Sequence, residues 1–186
     1  MRRYATLLVV SLLVASMVAV PVATADGSAT AKHTTTYEPC EFPVTLTDAT
    51  GENITIEERP DRVTTTNPSA AQTMWEIGGK SQVVGLTRHA TYLDGAADRT
   101  DVSADFGVNT EKVVGTEPDL VLAPNASSGE VEKLRAAGLK VYHFREATDV
   151  DDIRAKTTTT GKLTGNCEGA AEANAWMDAN VDAVES

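Results

Sequence analysis

Three short segments of the 186-residue chain carry side chains suited to holding a ligand. Asn67-Pro68-Ser69 follows a β-branched run. Arg88-His89-Ala90-Thr91-Tyr92 sets a histidine and a rigid ring in a polar stretch, and Pro124-Asn125-Ala126-Ser127 follows a strongly apolar run. The first can offer helix-terminal amides and a hydroxyl to an anionic or carbonyl group, or serve as a cap alone. Tyr92 can stack on a flat ligand, or pack its loop against its own domain. Phe106, alone among polar and glycine positions, can line the same mouth or bury as a loop anchor. This is the chemistry of binding. Ser69 and Ser127 have no nucleophile-elbow context and no identifiable His/Asp pair, so no enzyme is expected. The histidines are His33, His89 and His143, without His-x-x-x-His or a Cys/His cluster, so no resident metal or intrinsic cofactor is expected. Phosphate-loop and dinucleotide fingerprints are also missing.

Those segments need a scaffold, and the periodicities supply an α/β one. Val44–Thr47 and Asn53–Ile56 alternate around Asp48-Ala49-Thr50-Gly51 and predict a hairpin. Arg62-Val63-Thr64-Thr65-Thr66 predicts a strand that ends at Asn67, because a residue before proline is held out of the α region. Ser69 is the expected cap of a helix over 70–77 that stops at Gly78-Gly79. A strand over 82–86 precedes a long polar segment to residue 109. Thr110 is the expected cap of a short helix over 111–114. Strands over 119–123 and 140–144 flank a helix that starts at Ser127-Ser128 and stops at Gly138. A helix over 149–164, weakened by four successive threonines at 157–160, breaks at Gly165-Asn166, and an alanine-rich helix follows from Glu168. Strands alternating with helices give a mostly parallel sheet with helices on both faces, whose ligand edge lies beyond the carboxyl ends of the strands.

Met1-Arg2-Arg3, the apolar stretch from Tyr4 to Val22 and Ala23-Thr24-Ala25 read as a cleaved signal peptide over 1–25, preferred to a single-pass anchor because of Pro21 and the polar residues that follow. Residues 26–39, rich in Ser, Thr and Ala, read as a flexible leader. Cleavage would remove two of the 16 basic residues and none of the 27 acidic ones, taking the net charge from −11 to −13. Such a surface repels nucleic acid and anionic lipid, and its dispersed acids suit a solvated coat in concentrated salt, where the Debye length is only ~3 Å at 1 M. Outside the cytoplasm Cys40 and Cys167 are expected to pair. By chain entropy that bridge is worth roughly 5 kcal/mol. Asn53-Ile54-Thr55 and Asn125-Ala126-Ser127 also match the acceptor pattern for N-glycosylation.

Arg59-Pro60-Asp61-Arg62-Val63, Gly85 with its polar loop, Asn109-Thr110-Glu111-Lys112, Glu117-Pro118-Asp119-Leu120-Val121-Leu122 and Leu163-Thr164-Gly165 together carry a resemblance over residues 41–186. The chain resembles the amino-terminal half of the periplasmic-binding family for vitamin B12, ferric siderophores and haem, the substrate receptors of ABC importers, and is similar to its haloarchaeal members. The resemblance implies two Rossmann-like lobes joined by one long helix, with the ligand between them. Residues 40–166 would form the amino-terminal lobe and 167–186 the start of the interlobe helix. A second lobe, a threonine-rich stalk and a carboxyl-terminal anchor would lie beyond this chain. It implies ligand contacts at Tyr92, where B12 receptors present a stacking tyrosine, and at Phe106 and Asn125, near their ligand-facing positions. Glu111 would dock on arginines of the membrane permease. Phe106 stands where B12 receptors have tryptophan, and its spacing to Glu111 is one residue shorter. The implied function is capture of a corrinoid or ferric siderophore, alternatively haem, at the outer face of the membrane. A cell-surface adhesive domain is the rival reading, and it requires Tyr92 and Phe106 to pack inward.

Overall fold

The computed structural model describes residues 37–185. The expected signal peptide, His33 and most of the leader lie outside the described residues. The hairpin forms as read: β1 (Val44–Thr47) pairs antiparallel with β2 (Asn53–Ile56). The core is a five-stranded sheet of β3 (Val63–Thr65), β4 (Val83–Leu86), β5 (Thr100–Asp101), β6 (Leu120–Ala123) and β7 (Val141–His143), in the order β5-β4-β3-β6-β7. Every adjacent pair within it is parallel.

Alternation along β6 builds two cores. Leu120 and Leu122 face the layer of α1 (Pro68–Glu76), α4 (Val150–Thr164) and α5 (Cys167–Glu185), while Val121 and Ala123 face that of α2 (Thr110–Gly115) and α3 (Ser128–Ala136). All four residues are buried, as a parallel strand covered on both faces requires. On the second face a Cβ at Gly85 would come within 2.8 Å of Thr116 Cγ2 and 2.9 Å of Thr64 Oγ1, so only glycine lets these two threonines bond each other at 2.7 Å.

Two helix starts differ from the sequence reading. Asn67, not Ser69, caps α1: its backbone is extended before Pro68 and its Oδ1 accepts from Ala70 N at 3.1 Å, while Ser69 Oγ donates to Asn67 at 2.9 Å. Proline at the first helical position, which has no N–H to satisfy, puts the cap on the residue before it, two positions earlier than Ser69. Asn109 rather than Thr110 caps α2, accepting from Lys112 N at 3.0 Å. The polar stretch before it is less irregular than expected. It holds 3₁₀ turns at Arg88–Ala90 and Ala96–Asp98 and the short, exposed β5, which has no apolar pattern to betray it. The threonines of α4 return their hydroxyl protons to the carbonyl four residues earlier, Thr157 to Ile153, Thr160 to Lys156 and Thr164 to Thr160, and so enter the core satisfied.

Cys40 and Cys167 are joined, with Cα atoms 5.5 Å apart, and tie the segment before the hairpin to the first residue of α5. No helix of the described residues is long and apolar enough to cross a membrane.

Candidate functional site

From β3 the chain runs outward one way, through α1 to β4 and β5, and then returns past β3 to β6 and β7. The direction therefore reverses between β3 and β6, and the crevice of such a sheet opens beyond the carboxyl ends of those two strands. Two of the three segments singled out above are the loops that leave them: Asn67-Pro68-Ser69 follows β3 and Pro124-Asn125-Ala126-Ser127 follows β6. A buried hydroxyl pair, Thr66 Oγ1 to Ser127 Oγ at 2.6 Å, fastens the two loops together, and Thr66 N donates to Leu122 O at 3.1 Å. Asn125 is exposed at the head of a 3₁₀ turn, Asn125–Ser127, that leads into α3.

The third segment leaves the end of β4. Arg88 N donates to Ser103 Oγ at 2.9 Å and the Arg88 guanidinium donates to Ala104 O, which joins this loop to the one after β5. His89 is exposed within the 3₁₀ turn. Tyr92 donates its hydroxyl to Gln72 Oε1 at 2.7 Å, and Trp75 Nε1 donates to Asp94 O at 3.0 Å, so α1 braces the loop at two points. Tyr92 remains 62% exposed, a braced residue open to solvent.

Phe106 lies at the tip of a tight turn between the bridged residues Ser103 and Val108, closed by Ala104 N to Gly107 O at 3.2 Å. Gly107 has φ +68°, a backbone conformation that favours glycine, and a Cβ there would meet the Glu130 carboxylate. Phe106 itself is 94% exposed and buries nothing, which excludes its reading as a loop anchor. Beside it, Asp101 accepts from Ser103 N at 2.8 Å, and hydrogen bonding from Ser103 holds its carboxyl below the usual carboxylate value. Glu111 stands exposed in the first turn of α2.

Sequence reasoning missed the residues that hold the site together. Gln72 and Thr66 act by contacts made across 20 and 61 positions, to Tyr92 and to Ser127 of the loop after β6, and no local pattern signals such contacts. His143 is buried on β7: Nδ1 lies 3.0 Å from Ala123 O and its amide donates to Asp48 Oδ2 at 3.1 Å. Among the described residues no group of three or more His, Cys, Asp or Glu is placed to hold a metal ion.

An open parallel sheet with braced loops at its switch point and exposed rings on the loops after the neighbouring strands is the architecture of an α/β ligand-binding lobe. Residues 63–186 match the family described as "Periplasmic binding protein", and the chain belongs to that family. It is 46% identical over 185 residues to a cobalamin-binding protein of Halobacterium salinarum, a match that covers 98% of this chain and 50% of that protein. Of solved structures, the siderophore binding protein BauB superposes with a TM-score of 0.65 at 19% identity, over 76% of this chain and 53% of that one. The periplasmic vitamin B12 binding protein of Vibrio cholerae does so with a TM-score of 0.59 at 22% identity, over 66% and 49%. At these identities the superpositions speak to the fold. The chain spans about half the length of the H. salinarum relative.

Proposed function

We propose that this chain forms the amino-terminal lobe of an exported substrate receptor that captures a metal chelate outside the membrane and hands it to an ABC importer. One observation carries the reading: Tyr92, held by Gln72 yet 62% exposed, and Phe106, 94% exposed, both present open rings from loops at the carboxyl edge of a parallel sheet. Rings left bare at a sheet's ligand edge cost solvation unless a flat apolar partner covers them. The adhesive reading needs both rings packed inward, and they are not. A corrinoid is the first candidate for the cargo, supported by the cobalamin-binding relative of H. salinarum. A ferric siderophore follows and haem comes third.

In this reading Asn67, Ser69, His89, Tyr92, Phe106 and Asn125 line one half of the cleft. The Asn67 side-chain oxygen is already committed to capping α1, so its contribution to a ligand is its amide NH2. Glu111 is the docking acid for the permease. The lobe comprises residues 40–166, and α5 begins the interlobe helix. Trp176 and Val184, 71% and 88% exposed on α5, are the apolar positions that a second lobe would cover. The receptor works at the outer face of the membrane and performs no bond-making chemistry.

The test is calorimetry in molar salt on a receptor in which this lobe is joined to a second one, with cyanocobalamin, a ferric siderophore and haemin as titrants. Saturable binding of one of them at micromolar or tighter affinity is expected. No heat with any of the three would overturn the reading. The single lobe should bind far more weakly, because half a cleft forfeits most of the ~70 to 90% burial usual for small-molecule sites.

A further inference from the structure

Beside Ser69 the cleft edge continues into a notch of about 40 Å³ between α1 and α4, lined by Ser69, Thr73, Pro124, Phe144, Lys156 and Thr160. This is room for one or two oxygens of a ligand and not for a ring. No carboxylate lines it, although the chain carries 27 acidic residues against 16 basic ones. Its three hydroxyls are already donating elsewhere: Ser69 to Asn67 Oδ1, Thr73 to Ser69 O and Thr160 to Lys156 O. The one side-chain donor left to the notch is the Lys156 ammonium.

Lys156 is half-buried, and its ammonium makes no hydrogen bond or ion pair among the described residues, whereas Lys80, Lys112 and Lys140 each donate to an oxygen. The nearby carboxylates do not replace a ligand. Asp152, one turn earlier, is occupied by Arg145 and by the amide and hydroxyl of Thr148, and Glu146 is exposed to solvent. Burial pushes the Lys156 ammonium below the ordinary lysine value, against the opposing pull of Asp152 and Glu146. On the far side of Phe144 the same lysine borders a larger recess of about 190 Å³, where Asp48, Asp152 and Arg145 also stand and the two carboxylates are already paired with Arg135 and Arg145.

We propose that the notch between α1 and α4 is an oxyanion subsite of the ligand cleft, in which Lys156 binds a carboxylate or phosphodiester on the periphery of the cargo. This rests on the receptor reading above for its place in the cleft, but not for its chemistry. A charged hydrogen bond from a partly desolvated ammonium is stronger than one between neutral groups, and it would fix the orientation of a flat ligand whose rings meet Tyr92 and Phe106.

The chain as it stands can be tested by dimethylating its lysines with carbon-13 and assigning the Lys156 signal with K156R. Titration with acetate and then inorganic phosphate, at constant ionic strength, should move the Lys156 methyl signal saturably and several times farther than that of exposed Lys133. A Lys156 signal that moves no farther than Lys133 with either anion would overturn the subsite. For the source of the anion, K156Q should weaken binding of cyanocobalamin about tenfold, and should leave a corrinoid lacking the nucleotide phosphodiester unaffected. Weakening of haemin alone would assign the subsite to a carboxylate. Equal loss for both corrinoids, or no loss for any ligand, would contradict the proposal. Wild-type protein that binds none of these cargoes would overturn the receptor reading instead, and the acetate and phosphate titrations would still decide the notch.

Discussion

In the proposed reading Tyr92 serves ligand capture and Glu111 delivery, and each role can be tested at a single atom or ring. Tyr92→Ala removes the exposed ring and should weaken cargo binding about five- to tenfold, the scale of one aromatic contact. Tyr92→Phe keeps the ring and loses only the bond to Gln72, so it should bind nearly as wild type does. Equal loss in the two variants, measured by fluorescence quenching, would show that the hydroxyl brace matters and not the stack. Glu111 already benefits from the amides at the start of α2, by roughly 0.3 to 1 kcal/mol, and it needs no partner for that. Glu111→Gln should therefore leave cargo affinity unchanged, with stability nearly so, yet reduce stimulation of the permease ATPase. Wild-type stimulation would leave it a helix-start residue only. The exposed placement of Tyr92, Phe106, Asn125 and Glu111 in loops or a first turn was legible in the sequence, because polar and glycine-bearing stretches surround them. The caps were not. Asn67 and Ser69, two positions apart, and the adjacent Asn109 and Thr110 are pairs of similar chemistry, and only the backbone course decides which of them turns its oxygen inward.

The elements follow from periodicity where the core reads it and escape where it does not. The alternating hairpin and the four-residue apolar β6 were readable, since burial on one or both faces dictates their side chains. Strand β5 has two exposed residues and depends on its neighbour β4 for its existence. The attachment of the hairpin was equally hidden, because it rests on a polar network of distant residues. Asp48, in the hairpin turn, accepts from Thr50 N at 2.8 Å, from Glu52 N at 3.2 Å and from the guanidinium of Arg135 on α3, while Arg135 also reaches Val141 O at 3.0 Å. Burial raises the Asp48 pKa, but the hydrogen bonds from Thr50, Arg135 and His143 outweigh it and hold the carboxyl below its ordinary 3.8. A folded-state pKa below the unfolded one contributes stability above pH 3.8 that is lost as pH falls through the lower folded value. Asp48→Ala should thus cost about 2 kcal/mol at neutral pH, the scale of hydrogen bonds lost to a charged group, since Arg135 keeps Glu52 at 2.7 Å, and should flatten the stability profile below about pH 4. Urea melts across that range check both effects, and an unchanged acid limb would contradict the assignment.

Across the whole molecule, acidic self-repulsion is set against one covalent staple and a two-faced core. The Cys40–Cys167 bridge joins the segment entering the hairpin to the start of α5. Replacing both cysteines with serine should lower stability by roughly 2 to 5 kcal/mol. The variant should also unfold at a higher residual salt concentration than the wild type during dilution, because screening by salt is what keeps so acidic a surface compact. Far-UV circular dichroism against salt reads both midpoints, and coincident curves would show that the bridge carries no such load. The central claim is that the carboxyl edge of the sheet is a ligand face, and it is tested most directly on this chain by nitrogen-15 NMR in molar potassium chloride. Cyanocobalamin, a ferric siderophore and haemin would each be titrated to their solubility limit. The receptor reading predicts weak but saturable shifts with at least one of them, confined to the amides of Asn67, Ser69, Ala70, Arg88–Tyr92, Ala104–Gly107 and Asn125–Ser127. Shifts with none of the three, or shifts centred instead on the groove between α4 and α5, would contradict it.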